Sequence, residues 1–202
     1  IVDNEIGATT YQNPSRLNCS DRGTTLNKNC DNIDNDANGL IDDVTGWDFI
    51  NYDNKPLAGE LNATGSGTQH GSMVAGIAAA NGNNTVGIAG VDWYAKILPI
   101  QAIDDDGYGN TFSVASAIRY AADMGADVIN LSLGSDYPDS YLLAAIEYAV
   151  DKSVVVVAAA GNDGDGLTTI AAPGVSSAVV TVGAASDYSV PSGQLGHDLV
   201  KG

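Results

Sequence analysis

Apolar residues recur every three or four positions in two stretches of the chain, residues 111–125 and 141–152. This period puts the apolar side chains on one stripe of a helix, so both stretches are predicted to be amphipathic helices. A third stretch, residues 69–80, consists mainly of small and apolar residues, and we expect it to form a buried helix with His70 in its first turn. Gly125 is expected to end the helix at residues 111–125, because glycine readily adopts the conformation that stops a helix.

Runs rich in β-branched and other apolar residues lie between the predicted helices. Five of them are predicted strands, namely residues 46–50, 95–101, 127–133, 153–160 and 178–184. The run at 153–160 is apolar throughout, as in a strand that is buried on both faces. Strands that alternate with helices favour a parallel sheet with helices on both faces. The expected fold class is therefore α/β, in a single domain that takes up residues 1–202.

Polar segments follow several of the predicted strands. Asp3 ends a short apolar segment, Ser132-Leu133-Gly134 ends a predicted strand, and Gly161-Asn162 follows the next one. Ligand sites in parallel sheets form beyond the carboxyl ends of the strands, so we expect these segments and His70 at one edge. An acid, a histidine and a group that binds an oxyanion are the parts of a nucleophilic acyl-transfer site. The only other histidine is His197, so general-base chemistry falls mostly to His70.

The charge of the chain excludes some partners. The sequence contains 8 basic and 25 acidic residues, which gives a net charge of −17. Nucleic acids and anionic membranes are therefore not expected as partners, since binding to phosphates requires lysine and arginine. No apolar run approaches the roughly 20 residues that are needed to span a bilayer. The chain begins directly on Ile1 without a leader, as expected of a mature or shortened product.

The two cysteines favour an oxidising compartment. Cys19 and Cys30 lie eleven positions apart with no histidine near them, which argues against a zinc site. A disulfide between them would stabilise the fold by about 3 kcal/mol in the chain-entropy model. Such a bond would place the protein outside the cytosol.

An acidic loop follows the cysteines and resembles a calcium-binding loop. Oxygen-bearing side chains alternate at Asp34, Asp36 and Asn38, and Gly39 provides a sharp turn. Thr45 stands where an EF-hand has a bidentate glutamate, so a neighbouring aspartate would have to complete the shell. We favour calcium over a solvated acidic turn and expect residues 19–45 to form a disulfide-closed, calcium-binding insertion. The expected ligands are Asp34, Asp36, Asn38, Leu40, Asp42 and Asp43.

Several motifs resemble those of the subtilases, the subtilisin-like serine endopeptidases. His70 to Gly76 matches the pattern H-G-[ST]-x-V-A-G, and Ala159 to Gly164 matches A-A-G-N-x-G. Val128 to Gly134 is similar to the family's substrate-binding strand. Further similar segments are Gly87 to Val91, Ala172 to Gly174 and Val182 to Ala184, and the segment from Asp34 to Phe49 resembles an insertion of larger secreted bacterial members. The resemblance covers most of the chain from Asp31 to Ala184.

The resemblance implies a role for each part of the site. In a subtilase triad, His70 would take the proton of a serine, Asp3 would orient the imidazole, and the Asn162 amide would donate to the oxyanion. A polypeptide substrate would lie as an added strand. The implied substrate-binding residues are Gly107, Tyr108, Gly109, Ser132, Leu133, Gly134, Ala160 and Gly161. A second calcium site is implied near Asn84, Val86 and Ile88.

Two departures from the family pattern affect the expected function. Asn4 and Glu5 follow Asp3 where the family has a hydroxyl residue and a glycine, and the nucleophile motif G-T-S-x-A-x-P is absent from residues 1–202. We therefore expect a secreted, calcium-stabilised endopeptidase whose C-terminal part is missing from this chain. The serine would come from a C-terminal remainder or a second chain. The alternative is a catalytically inactive subtilase-fold domain that acts in binding or as a scaffold.

Overall fold

The computed structural model describes six ranges, residues 33–34, 36–43, 45–56, 70–85, 87–164 and 169–184. The chain divides into two compact units, Ile1–Ser113 and Val114–Gly202, and each unit is described by itself. Asp3, Cys19 and Cys30 lie outside the described residues, and so does the predicted disulfide.

Helices and strands alternate along the described chain. In order they are β1 (Trp47–Asp48), α1 (His70–Ala79), β2 (Ile100–Gln101), α2 (Thr111–Asp123), β3 (Val128–Leu131), α3 (Ser140–Asp151), β4 (Val155–Ala159) and β5 (Val180–Val182). The strand β1 pairs with β2, and a second sheet has the order β3-β4-β5. All three of these strand pairs are parallel. The predicted α/β class with a parallel sheet is confirmed.

The sheet of the first unit is shorter than its sequence predicts. Strand pairing is confined to two residues in each strand, against predicted runs of 46–50 and 95–101. Pro99 has no backbone N–H and interrupts a ladder, which explains why β2 begins only at Ile100. Gly46 precedes β1 with φ of +121°, and a Cβ at this position would collide with the Pro99 carbonyl. Only glycine fits this approach of the two backbones.

Helix α1 is only partly buried. Gly76 and Ala79 are buried, whereas the side chains of Met73 and Ile77 are 53% and 62% exposed. The expectation of a fully buried helix is therefore wrong for its large apolar residues. Only the small-residue side is closely packed, because the backbone of Gly90 lies directly against Ala79 and a Cβ at Gly90 would collide with it.

Helices α2 and α3 follow their predicted periods closely. Gly125 has φ of +77° and its N–H donates to Ala122 O, which ends α2 as expected. Helix α3 begins one residue earlier than predicted, because the Asp139 side chain accepts hydrogen bonds from Tyr141 N at 2.7 Å and Leu142 N at 3.2 Å. This carboxylate is the N-cap that accepts from the N–H groups of the first turn.

The β3-β4-β5 sheet of the second unit has one buried and one exposed face. Val128 pairs with Val155 in register, and side chains then alternate between the two faces. Ile129 and Val156 are buried on the side against which α3 packs. Val155 and Val182, on the other face, are 48% and 55% exposed. The prediction that residues 153–160 are buried on both faces is therefore wrong for Val155, which is 48% exposed.

Candidate active site

The segments that follow β3 and β4 meet at Ala171 in the second unit. Gly161, directly after the end of β4, has φ of +95°, and a Cβ built on it would lie 2.9 Å from the Ala171 Cβ. A Cβ built on Gly134 would lie equally close, at 2.9 Å from the same atom. Both separations are shorter than real Cβ contacts, so both positions require glycine. The two segments predicted to bind substrate therefore approach one point of the sheet edge.

Backbone hydrogen bonds hold this edge together. Ala171 N donates to Ala160 O at 2.9 Å, and Ala160 N donates to Val182 O at 2.8 Å. Ser135 and Ala172 exchange a reciprocal pair of bonds at 2.9 and 3.0 Å. The residues around Ala171 thus connect the loop after β3 to the loop after β4. The sequence predicted this meeting of loops from strand order alone, and the structure of this unit brings them together.

The polar side chains of this edge are accessible. Asn162 lies in the turn after β4 and is exposed, so its amide faces solvent rather than the core. On the neighbouring strand Asn130 Nδ2 donates to Ser132 Oγ at 2.9 Å, which holds the hydroxyl close to the strand. An exposed amide donor beside a glycine-lined backbone edge can bind a carbonyl oxygen or an oxyanion.

His70 is the first residue of α1 in the first unit, as the sequence predicts, and it is exposed. The first turn of this helix contains no acidic side chain. Asp3, the predicted partner of the imidazole, lies outside the described residues, so their pairing stays a prediction.

The predicted substrate segment Gly107-Tyr108-Gly109 forms a tightly bonded loop in the first unit. Asp104 N donates to Tyr108 O at 2.7 Å, and Gly107, with φ of +86°, donates to Asp104 O at 3.0 Å. Asp104 Oδ1 accepts two more bonds, from Asp106 N at 3.0 Å and Tyr108 N at 2.8 Å. The Tyr108 ring is 75% exposed. The loop therefore holds its backbone in place and presents an aromatic side chain to solvent.

The predicted calcium loop has the internal hydrogen bonds expected of a D-x-D-x-N-G turn. The Asp34 carboxylate accepts from Asn38 N at 3.2 Å and from Gly39 N at 2.7 Å. Asn38 Oδ1 accepts from Leu40 N at 2.8 Å, and Gly39 has φ of +89°. The hydrogen bond from Gly39 N, with smaller contributions from the Asp36 side chain and from Asn38 N, outweighs the effect of desolvation and keeps the pKa of Asp34 below its ordinary value. This carboxylate is charged at neutral pH.

The acidic side chains of the loop surround an amide group. Asn38 Nδ2 donates to Asp36 Oδ2 at 3.3 Å and to Asp43 Oδ2 at 2.8 Å. Asp43 is completely buried and Asp42 is 6% exposed. Among the residues described, no group of three or more Asp, Glu, His or Cys side chains is arranged to hold a metal ion. The oxygen donors fit calcium in kind, but Asp36 and Asp43 would have to exchange their bonds to Asn38 for bonds to the ion.

The second predicted calcium loop is described only in part. Asn84 is exposed, Ile88 is 53% exposed, and Val86 lies outside the described residues. Asn83, Thr85 and Gly87 all have positive φ, between 56° and 63°. The loop then returns to α1, where Gly90 N donates to Ala80 O at 2.9 Å. The structure supplies a tightly turned loop, and the assignment of ligands stays a prediction.

One feature of the first unit was not predicted from the sequence. A cleft of about 300 Å³ separates the turn after β1 from the loop that leads into α2. Its walls are Phe49, Ile50, Tyr52, Asp104, Tyr108, Gly109, Asn110, Phe112 and Ser113. Only Tyr108 and Gly109 were predicted to bind substrate. The other lining residues could have been found only from the aromatic residues that are frequent in two segments about 55 positions apart. The sequence does not show that these two segments meet.

These features define a parallel α/β protein whose candidate binding segments meet at the carboxyl edge of a sheet. The chain belongs to the subtilase family, whose description matches residues 19–195. The family comprises subtilisin-like serine proteases. No helix in the described ranges is long and apolar enough to cross a membrane.

Two relatives and one solved structure illustrate the similarity. The chain is 44% identical over 153 residues to the thermophilic serine proteinase of Bacillus sp. strain AK1, covering 76% of this chain and 35% of the relative. It is 35% identical over 164 residues to the minor extracellular protease Vpr of Bacillus subtilis strain 168, covering 78% of this chain and 20% of that relative. The structure of sphericase is similar with a TM-score of 0.52 and 38% identity, over 54% of this chain and 37% of that one. The chain thus spans only about a third or less of the length of these two relatives.

Proposed function

We propose that this chain is part of a secreted, calcium-stabilised subtilisin-like endopeptidase that hydrolyses peptide bonds. The main support is the meeting of the segments after β3 and β4 at Ala171, together with membership of the subtilase family. Glycines at positions 134 and 161 leave backbone groups accessible at this edge, where a peptide in extended conformation can pair with them.

In the proposed mechanism, the substrate pairs with the Gly107–Gly109 and Ser132–Gly134 segments, as the resemblance to subtilases implies. Its specificity pocket is walled by Ala160 and Gly161. His70 removes the proton of the attacking serine hydroxyl and returns it to the leaving amine, while Asp3 holds the imidazole in the productive tautomer. The Asn162 side-chain amide donates a hydrogen bond to the oxyanion of the tetrahedral intermediate. The exposure of Asn162 and His70 is consistent with both roles.

The serine nucleophile is proposed to lie outside residues 1–202, on a C-terminal remainder or a second chain. The pattern G-T-S-x-A-x-P does not occur in this sequence. Ser132 lies within the proposed substrate-binding segment and its hydroxyl accepts a bond from Asn130, so it is poorly placed to act as the nucleophile.

Calcium is proposed to stabilise the loop formed by residues 34–43. The ion would be held by oxygen atoms of Asp34, Asp36, Asn38, Leu40, Asp42 and Asp43. When bound, it would neutralise carboxylates that the fold brings close together, two of which are buried. The bonds from Asn38 and Gly39 to Asp34 already give this loop its curvature. The second proposed site involves Asn84, Val86 and Ile88.

Secretion is proposed because one relative is named as an extracellular protease. The cysteine pair supports an oxidising environment.

The proposed activity is tested with the intact protein encoded by the gene, in two measurements. The first is hydrolysis of a casein or peptide substrate, and the second is labelling by a serine-directed fluorophosphonate followed by mass spectrometry of the adduct. We expect an adduct on a serine beyond Gly202, and we expect the H70A variant to lose both activity and labelling. The H197A variant is the matched control and is expected to keep both.

An intact, folded protein that gives neither hydrolysis nor an adduct would contradict this proposal. It would support the alternative of an inactive subtilase-fold binding domain.

A further inference from the structure

The cleft in the first unit is lined mainly by aromatic side chains that remain accessible. Tyr52, Tyr108 and Phe112 are 61%, 75% and 54% exposed. Phe49 is 8% exposed and closes the cleft on the side of β1, where its N–H donates to Gln101 O at 2.8 Å. The volume of about 300 Å³ is at the lower end of the range for pockets that bind small molecules. It therefore suits one side chain rather than an extended ligand.

A carboxylate with a free oxygen lies in the wall of the cleft. Both side-chain bonds that Asp104 accepts, from Asp106 N and Tyr108 N, fall on Oδ1. Within the part of the chain that the structure describes, Oδ2 receives no hydrogen bond from the protein. Asp105 and Asp106 add negative charge next to it, and none of the residues that line the cleft is basic. The cleft thus combines aromatic faces with the negative charge of the Asp104 carboxylate.

We propose that this cleft binds a lysine or arginine side chain of the polypeptide substrate. The proposal rests on the proposed function, because it assigns a preference to the same substrate. The cleft contains Tyr108 and Gly109, which belong to the segment proposed to pair with the peptide, so a side chain of a bound peptide can reach it.

The chemistry of the walls selects a cationic group. The face of an aromatic ring carries negative electrostatic potential, so it attracts a guanidinium or ammonium group that stacks on it. The alkyl part of lysine or arginine packs against Phe112 and Tyr52, while its charged end reaches the Asp104 carboxylate. An acidic side chain would be repelled by Asp104 to Asp106, and a neutral apolar one would leave the carboxylate unused.

The test is a substrate scan with the intact enzyme. The substrates are neutral peptides with blocked ends. Each position in turn is replaced either by arginine or by the uncharged residue norleucine, and kcat/KM is measured for both peptides. We expect arginine to raise kcat/KM by about tenfold at one position, the combined size of a cation–π contact and a partly exposed ion pair. Raising the salt concentration to about 1 M is expected to reduce this preference, because salt screens the charge of Asp104.

Two variants assign the preference to the cleft. D104N keeps an oxygen that can accept the bonds from Asp106 N and Tyr108 N but removes the charge. Y52N removes the ring and suits the positive φ of 56° at this position. Both variants are expected to lower the arginine preference at least threefold, without a similar fall in kcat/KM for the norleucine peptide. D92N is the matched control, because Asp92 Oδ1 also accepts two backbone bonds, from Tyr94 N and Ala95 N, but lies outside the cleft.

The outcomes separate the two proposals. Hydrolysis without an arginine preference, or a preference that survives D104N and Y52N, would overturn the cleft proposal and leave the peptidase intact. If no peptide is hydrolysed, binding of the arginine and norleucine peptides is measured by fluorescence anisotropy, and equal affinities would overturn the cleft proposal in that case.

Discussion

Lys152 Nζ lies 2.8 Å from Asp123 Oδ1 and connects the end of α3 to the end of α2. Tyr148 OH donates to the same oxygen at 2.6 Å. Arg119 and Lys152 both approach the Tyr148 ring, with 4.7 and 5.1 Å between the cationic group and the ring centroid. The Asp123 carboxylate therefore contacts one cation and a phenol, and the ring of that phenol lies beside both cations in the second unit.

This cluster predicts a pH-dependent contribution to stability. Partial burial raises the pKa of Asp123, but the hydrogen bonds from Lys152 and Tyr148 and the nearby positive charges outweigh it, so the pKa lies below its ordinary value. The hydrogen bond to Asp123 raises the pKa of Lys152. The contribution of Asp123 is therefore full above about pH 4, its pKa when unfolded, and is lost as the pH falls through the lower folded value.

A double-mutant cycle of D123N and K152M measures this contribution. Because the side chains of Lys152 and Asp123 are 42% and 49% exposed, solvent screens the pair. We expect a coupling of only about 0.5 kcal/mol at pH 7 in urea unfolding and a smaller coupling at pH 2. A coupling of equal size at both pH values would contradict the assignment.

Gly161 is expected to tolerate alanine less well than Gly164. Both have positive φ, +95° and +88°, so alanine costs about 1–2 kcal/mol at either position for backbone reasons. A Cβ at Gly161 also meets the Ala171 Cβ at 2.9 Å, whereas one at Gly164 meets nothing within 4 Å. The melting temperature of G161A should therefore fall further than that of G164A. Equal losses would show that the contact with Ala171 is not limiting.

Removal of calcium is expected to lower the melting temperature of the intact protein. Without a bound cation, the negative charges of Asp34, Asp36 and Asp43 repel one another within one loop. Differential scanning calorimetry with and without a chelator measures this fall in melting temperature. In the D36N variant the fall caused by the chelator should be smaller. D53N, an aspartate outside this loop, is the control. An unchanged melting temperature after chelation would contradict the calcium assignment.

Replacement of Asn162 by alanine is expected to lower kcat much more than it changes KM. The amide would contact the oxyanion only after the carbonyl carbon is attacked, so its loss affects the transition state selectively. The expected loss is about 10²–10³-fold in kcat, the size known for the corresponding donor of subtilisin. The melting temperature should be almost unchanged, since Asn162 is exposed. A raised KM with unchanged kcat would indicate ordinary substrate binding.

Local signals in the sequence were sufficient to predict the helices and the parallel sheet. The spacing of Val114, Ile118 and Ala121 gives one apolar stripe, and the structure buries all three. The strand ends were less predictable, because pairing depends on partners that are distant in sequence. Ile97, Leu98 and Ile100 are apolar, yet Pro99 among them cannot donate to a neighbouring strand, so β2 begins only after it.

Strand order alone was sufficient to predict that two of the candidate segments meet in the second unit. The loops after β3 and β4 meet because parallel strands end at the same edge, which requires no knowledge of side-chain packing. The cleft was missed because Phe49 and Tyr52 come close to Phe112 only through folding of the first unit. The exposure of Val155 and Val182 was also missed, since an apolar run does not reveal how deeply each of its side chains is buried.

The sequence separation of the paired strands predicts the order in which the two sheets form. Pairing of Val128 with Val155 closes a chain segment of 27 residues, whereas pairing of Trp47 with Ile100 closes one of 53. Each doubling of a loop costs about 0.6 kcal/mol of closure entropy, and local pairings generally form early. The β3-α3-β4 segment is therefore expected to act as the nucleus. Pulsed hydrogen-exchange labelling during refolding should show protected amides at residues 128–131 and 155–159 before residues 47–48 and 100–101.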